Sequence, residues 1–422
     1  MTLAFSPVLR ALALAGLLAI LTACGEPATP AQPGATESPT EAAAAVDANV
    51  TDGCVDEPHD GTDYFPDKVE FEHASGLAVE YVGSHKVVEV DTQTGGEPLR
   101  YVLVQCGTEA PDLAGDLADA TVVEVPVQTA ITLTTTNLPH FAELDAADAV
   151  VGVGTADFVA TEEILERIEA GEVDSYAGPD GQTDAEAVIG AQPDLLIMDA
   201  FGETIVEEAQ RFNDADVPAV LNADFNEQSL LGRAEWLKFT ALFLNAEAAA
   251  NETFAEIQTA YDDVVAAAAE ADDQPAVFAN TPYEGTWYMP GGNSYFANAV
   301  ADANGAYVFA DDESTGSLEL DIETVLDRAG DADVWLQAGS VNGTLRDLRA
   351  IDPRFREFKA FRDGQVWAYD KATTAGGGNA VFETAYTRAD LFLADLVAIL
   401  HPDVLPDHEL MFFGQVPRGG DQ

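Results

Sequence analysis

The chain is 422 residues long and 47% hydrophobic, and it carries 75 Asp and Glu against 18 Lys and Arg, a formal net charge of −57. That length accommodates two lobes of ordinary size, and that apolar fraction argues against wholesale disorder. The charge excludes nucleic acid and anionic lipid as partners, because recognising phosphate needs clustered Lys and Arg.

At the start of the chain a lone positive charge, Arg10, precedes an apolar run over residues 11–20, and Leu21-Thr22-Ala23-Cys24 follows directly. A charged start, an apolar stretch too short to span a bilayer, and small residues before a cysteine make a secretory signal. The Leu-x-Ala-Cys ending resembles the bacterial lipobox. It implies a signal peptide over 1–23, a lipidated (palmitate-bearing) Cys24, and a protein exported to the periplasm or outer face of the cell membrane, touching that membrane through the lipid anchor alone. Residues 24–52 are rich in Ala, Pro, Thr, Ser and Glu with little large apolar surface, so they read as a flexible linker. Beyond it, Cys54 and Cys106 are the two remaining cysteines, and in an exported protein such a pair is expected to form a disulfide.

Residues 53–124 read as a β-rich N-terminal segment. Leu77, Val79 and Tyr81, then Val87, Val88 and Val90, then Tyr101, Val102, Leu103 and Val104 lie between turns such as Gly83-Ser84 and Gly95-Gly96. Over 125–228 strands alternate with helices. Ala130-Ile131-Thr132-Leu133, Val150-Val151-Gly152-Val153, Leu195-Leu196-Ile197-Met198 and Val217-Pro218-Ala219-Val220-Leu221 are short buried runs, which implies a parallel sheet covered by helices. Residues 229–272 contain no strand. Phe254, Ile257, Tyr261, Val264, Val265 and Ala268 recur at helical spacing, with Asn245 as the expected interruption. Alternation resumes over 273–422 with strands at Ala276-Val277-Phe278-Ala279, Asp333-Val334-Trp335-Leu336 and Gln365-Val366-Trp367-Ala368. The architecture is thus α/β: two α/β lobes joined by a long backbone helix, a ligand cleft between them, and a small disulfide-linked β-rich segment in front. A hinge made of one helix is stiff, so modest cleft opening is expected.

In this order and behind a lipobox, several stretches resemble the substrate-binding proteins of ABC importers, in the helical-backbone group that captures iron–siderophore complexes, haem or cobalamin. They are Val125-Pro126-Val127, Thr134-Thr135-Thr136-Asn137-Leu138-Pro139, Asp148-Ala149-Val150-Val151-Gly152-Val153, Gln192-Pro193-Asp194-Leu195-Leu196, Gly232-Arg233-Ala234-Glu235-Trp236-Leu237-Lys238-Phe239, Trp287-Tyr288-Met289-Pro290-Gly291-Gly292-Asn293-Ser294-Tyr295 and Leu400-His401-Pro402-Asp403. The resemblance covers most of the chain beyond residue 125. It implies a monomeric receptor that takes a metal-chelate small molecule and hands it to an ABC permease dimer with its ATPase, with no cofactor of its own. A transporter-independent surface sensor of haem or a metal chelate on the same fold is the alternative.

Two glutamates hold equivalent places, Glu186 in Asp184-Ala185-Glu186 and Glu323 in Asp321-Ile322-Glu323, each opening a helix that leads to a strand. Acidic residues favour helix N-termini through the dipole alone. The resemblance adds a docking role, one carboxylate per lobe meeting an arginine pocket on each permease half. The ligand should sit at the carboxyl ends of the strands. The first lobe offers Thr135, Thr136, Asn137, His140, Tyr176, Phe201 and Phe225, and the second Tyr283, Trp287, Tyr288, Tyr295, Gln337, Asn342 and Asn379. Aromatic walls suit a large flat ligand. Cationic candidates are scarce, Arg346 and Arg349 being the nearest, which leaves room for a neutral ligand. Enzyme motifs are missing: Gly292-Asn293-Ser294-Tyr295-Phe296 departs from the nucleophile elbow at its last position, and neither His-Glu-x-x-His nor a phosphate-binding Gly-Lys-Ser/Thr run occurs. The six histidines are scattered, unlike a free-metal site.

Overall fold

The computed structural model describes residues 46–92, 96–178, 181–202 and 204–419. Cys24 and the signal sequence lie outside these residues. The N-terminal segment is a four-stranded sheet of β1 (Leu77–Val82), β2 (His85–Val90), β3 (Leu99–Gln105) and β4 (Thr121–Val125) in that order. Its first three strands form an antiparallel meander and β4 runs parallel to β3. Cys54 and Cys106 form a disulfide across a sequence separation of 52, which stabilises by about 4 kcal/mol in the chain-entropy account.

Strand β2 shows how period 2 can bury a charge. Val88 and Val90 face inward, and the same alternation carries Lys86 inward with them, fully buried. Its ammonium donates to Leu242 O at 2.6 Å, Asn245 Oδ1 at 2.8 Å and Glu247 Oε1 at 2.5 Å, so all three donors are used. Glu247 also accepts from Asn49 at 2.8 Å.

The first lobe carries a parallel sheet of β5 (Ala130–Thr132), β6 (Val150–Val153), β7 (Asp174–Ser175), β8 (Leu195–Asp199) and β9 (Ala219–Asn222), ordered β7-β6-β5-β8-β9. Short continuous apolar runs produce it because both faces are covered. The chain leaves the central β5 in one direction to β6 and in the other to β8, so the sheet's switch point lies at the carboxyl end of β5.

The helical connection runs through Leu230–Glu235, Leu237–Leu244 and Glu247–Ala268. Asn245 interrupts it in the left-handed conformation at φ 55°, as its position suggests. A second interruption falls at Trp236, where the backbone tightens to an i→i−3 bond with Arg233 O at 3.1 Å while the indole donates to Glu227. Residues Leu230 to Leu244 are buried on every side, and the charged side chains among them, Arg233, Glu235 and Lys238, each find hydrogen-bond partners. No helix among the described residues is long and apolar enough to cross a membrane.

Glutamates near this connection fasten the N-terminal segment. Glu235 accepts from the backbone N–H of Glu72, His73 and Ala74 and from Lys238 at 2.7 Å. Burial pushes its carboxyl up, but Lys238 and the three amides outweigh that and hold it below its ordinary range. Glu227 accepts from Ser75 N, Ser75 Oγ and Gly76 N.

The second lobe contributes β10 (Ala276–Ala279), β11 (Trp287–Pro290), β12 (Ala306–Tyr307), β13 (Ser317–Leu320), β14 (Val334–Leu336), β15 (Trp367–Ala368) and β16 (Gly414–Gln415). Strands β12, β10 and β14 make a parallel sheet, while β11–β13 and β15–β16 are antiparallel pairs. The closing helix Ala389–Leu400 packs on Glu247–Ala268.

Candidate functional site

Thr134, Thr135 and Thr136 occupy the switch point after β5. Thr134 and Thr136 join hydroxyls at 3.1 Å, and Asn222 at the end of β9 donates to Thr136 Oγ1 at 3.0 Å. Two carboxylates stand beside them: Asp199, the last residue of β8, and Asp224, just past β9. Burial, and then the charge of Asp224, push the Asp199 carboxyl up to about 7 in spite of a hydrogen bond from Thr134. Burial also raises Asp224, moderated by Arg233, Asn222 and Thr136.

Arg233 sits in the first turn of the helical connection and is buried. It donates to Phe225 O at 2.8 Å and to Glu227 O at 3.4 Å. Its guanidinium carbon lies 3.6 Å from the ring centre of Tyr295 and 4.6 Å from that of Tyr386, both second-lobe residues. The Tyr386 hydroxyl is raised by burial and by its bond to Tyr295.

One turn before Tyr386, Glu383 is buried and reaches from the second lobe to the first. It accepts from Ala160 N and Thr161 N at 2.8 Å each and from Thr161 Oγ1 at 2.5 Å. These groups precede the helix Glu162–Ala170, so the carboxylate caps the positive end of that helix across the seam. Burial pushes Glu383 up to about 7 in spite of these donors and the Thr135 hydroxyl. Beside it, Gly378 N donates to Asp157 O at 2.9 Å. A Cβ on Gly378 would lie 2.4 Å from Val159 O, so only glycine allows that approach. The Gly376-Gly377-Gly378 loop is therefore a contact between lobes.

These contacts bring together Thr135, Thr136 and Tyr295 from the expected set with Asp199, Asp224, Arg233, Glu383 and Tyr386, which sequence reasoning passed over. A signal for Arg233 was present: a lone cation in a helix whose other residues are nearly all apolar must find partners when buried.

Three expected ligand contacts, Asn137, His140 and Trp287, are corrected by burial, and the remaining candidates take the places described with them. His140 is buried on Thr240 Oγ1 at 2.9 Å and Asn137 Nδ2 at 3.3 Å, and burial holds its ring down to about 3, so it is a neutral core histidine. Asn137 is buried with it at the start of the helix Leu138–Glu143. Trp287 is fully buried: its indole donates to Ala279 O at 2.8 Å and its ring packs among Phe278, Trp335, Phe355 and Phe358. Strand alternation turns its neighbour Tyr288 outward, exposed. Tyr176 lies over Gly152, where a Cβ would meet the ring at 2.4 Å. The Asn379 amide donates to Tyr369 O and its carbonyl accepts from Val381 N, which ties it into its own loop. Gln337 is half-buried after β14 at φ 54°. Phe201 is exposed and meets Phe225 edge to face at 6.0 Å, while Tyr283 is exposed on the second lobe. Asn342, Arg346 and Arg349 are exposed in and before the helix Leu345–Ile351.

Glu186 and Glu323 are exposed at the same position of equivalent helices. Asp184 caps Ala185–Ala191 by accepting from Ala187 N at 3.0 Å, and Asp321 caps Ile322–Ala329 by accepting from Thr324 N at 2.7 Å. Glu323 is ion-paired with Arg354. Among the described residues one trio of potential metal ligands comes together, Cys54, Cys106 and Glu124, and both cysteines are in the disulfide.

Residues 131–373 match the family described as periplasmic binding protein. Over 215 residues the chain is 29% identical to an uncharacterized lipoprotein of Methanocaldococcus jannaschii, covering 50% of this chain and 48% of that one, so it spans about half the length of that relative. The fold is shared with a possible iron-binding (periplasmic solute-binding) protein from Staphylococcus epidermidis, at a TM-score of 0.52 and 18% identity over 65% of this chain and 99% of that chain. It is shared too with a periplasmic heme binding protein from Pseudomonas aeruginosa, at a TM-score of 0.51 and 17% identity over 70% of this chain and all (100%) of the other. The chain belongs to the periplasmic binding protein family, the substrate-binding components of ABC importers, whose members bind their cargo without catalysis and carry no cofactor.

Proposed function

We propose that the protein captures an iron–siderophore or similar metal-chelate ligand between its lobes and delivers it to a membrane permease. The observation that carries this is the seam itself, where Thr135, Asp199 and Asp224 of one lobe meet Tyr295, Glu383 and Tyr386 of the other around Arg233. Exposed aromatics on both lobes, Phe201 on one and Tyr283 and Tyr288 on the other, suit a large ring-bearing ligand. The Staphylococcus epidermidis and Pseudomonas aeruginosa neighbours, described as possibly iron-binding and as heme-binding, point to the same ligand range.

Delivery rests on Glu186 and Glu323, two carboxylates in matching frames that set register on a two-fold partner as well as attraction. The lipidated Cys24 is followed by a tether that ends before Asn49, which is buried and hydrogen-bonded to Asp67 and Glu247 and so corrects the expected linker bound at residue 52. Anchor and tether together raise the receptor's local concentration at that partner, so weak docking suffices. The competing reading, a sensor that meets no transporter, draws support from Glu323, whose carboxylate Arg354 already engages. That pair is largely exposed, so it is weak and readily exchanged.

The test is to purify the protein from its native source and identify what co-elutes by absorbance and mass. A metal chelate supports capture, and a metal-free ligand of another class overturns it. Uptake by the Glu186→Ala/Glu323→Ala variant then separates the two readings. Loss of uptake with intact ligand affinity supports delivery, and normal uptake refutes the docking role.

A further inference from the structure

Asp199 ends β8 and Asp224 lies just past the neighbouring parallel β9, with no opposite charge in hydrogen-bond contact among the described residues. Arg233 moderates Asp224 through its field, but its N–H groups go to the carbonyls of Phe225 and Glu227 and its faces are covered by Tyr295 and Tyr386. Thr134 serves Asp199, and Thr136, Asn222 and the backbone N–H of Phe225 serve Asp224. One acceptor is left over: Asp224 is 1% exposed and its Oδ1 is buried with no hydrogen-bond partner. A buried carboxylate oxygen without a donor is unfavourable, and such an orphan calls for an explanation. Asp199 is the partly exposed member of the pair and lies two residues before the exposed Phe201.

We propose that Asp199 and Asp224 form a polar subsite that receives a cationic or N–H-donating group of the ligand, so that the cargo is a chelate of positive or zero charge and not a polyanionic catecholate or a carboxylate-bearing macrocycle. The inference rests on the reading that the cleft holds a metal chelate. A donor or cation placed against the pair satisfies Oδ1 of Asp224 and offsets the repulsion between the two carboxylates. The protein's own field acts in the same sense, since a net charge of −57 slows the approach of anions and favours cations.

The test uses three iron chelates with one core: ferrioxamine B with its pendant ammonium, the N-acetyl form without that charge, and the N-succinyl form with a carboxylate. Cyanocobalamin and haemin extend the panel to a neutral amide-bearing and an anionic macrocycle. Affinities come from tryptophan-fluorescence titration of the intact protein. Affinity is expected to fall at least tenfold from the ammonium to the succinyl form, and Asp199→Asn is expected to erase most of that difference. Binding of cyanocobalamin that weakens in Asp199→Asn supports the same class. Equal or reversed affinities, tightest binding of haemin, or any binding that Asp199→Asn leaves untouched overturns the inference while capture stands. No binding of any of the five overturns capture, and this inference with it. Asp199 is only half-buried, so its variant tests the subsite even where the buried Asp224→Asn fails to fold.

Discussion

Two of the regions that bury acidic side chains differ in their surroundings. Where the N-terminal sheet meets the helical connection, Glu247 faces Lys86 and Glu235 faces Lys238, with backbone amides and asparagines using the remaining lone pairs. At the seam between the lobes, Asp199, Asp224 and Glu383 have hydroxyls and amides for company, and Arg233 is sandwiched between aromatic rings. The first region is electrostatically closed: each of its two glutamates has a cation within 2.7 Å. The second is left in deficit by the fold. Raised buried carboxylates cluster at functional sites, and with the unpartnered Oδ1 of Asp224 this is the ground for the subsite proposed there.

The contrast breaks most visibly at Lys86. Lys86→Met leaves Glu247 buried without its counter-ion, and a loss of about 3–5 kcal/mol is expected in urea unfolding. The double variant Lys86→Met/Glu247→Met should recover most of it, because removing both charges also removes their desolvation. A single variant as stable as wild type would show that the region is not closed. A smaller effect is expected across the seam. Glu383→Ala removes the acceptor of three hydrogen bonds from the first lobe, an expected cost of about 1.5–3 kcal/mol. Small-angle scattering should show the lobes further apart, and unchanged dimensions would remove Glu383 from the lobe contact.

Asp199 is expected to behave in the opposite way from Lys86, and pH reveals it. Its folded carboxyl is raised to about 7 from an ordinary value of 3.8. A raised group contributes stability that is fully present below the unfolded value and is lost as pH rises through the folded one. Wild type and Asp199→Asn should therefore match only below about pH 3.8, and the gap between them should open from there to about pH 7. At pH 8.5 the variant should be the more stable by about 1–2 kcal/mol, since each tenfold change in proton affinity is worth about 1.4 kcal/mol and relaxation of the half-buried site absorbs part of it. His140 carries the opposite sign: its ring is lowered to about 3 from 6.5, so its contribution is lost as pH falls below 6.5. Because it is common to both proteins, the difference between them isolates Asp199. A difference that shrinks as pH rises would reverse the assignment.

The frame of the fold was legible because it rests on periodicity. Short apolar runs between turns indicated both parallel sheets, and Asn245 marked an end of a helix. The N-terminal disulfide followed from two cysteines in an exported chain. The seam was legible only in part, for two physical reasons. Among 75 acidic residues, Asp199, Asp224 and Glu383 carry no local mark, since their burial is created by elements far apart in the chain. Residue type also misleads where packing decides: His140 and Trp287 have ligand chemistry, yet one seats on Thr240 and the other fills the second-lobe core. Lys86 shows the converse. The alternation that buries Val88 and Val90 already placed it inside, but a lysine in a strand is ordinarily read as facing solvent.

The smallest expected effect separates exposed charge from buried charge. With a formal net charge of −57, most carboxylates repel one another across water, and added salt shortens the reach of that repulsion from roughly 10 Å at 0.1 M to about 3 Å at 1 M. The thermal midpoint of wild type should therefore rise with salt, and a flat midpoint from dilute buffer to molar salt would count against a repulsive surface. The Lys86–Glu247 pair lies where ions do not reach, with neither side chain exposed. The stability difference between wild type and Lys86→Met should then stay constant within about 0.5 kcal/mol over the same range, the spread ordinary for independent effects. A difference that decays with salt would mean that water and ions enter this region, and that the closed half of the comparison is as open to solvent as the seam.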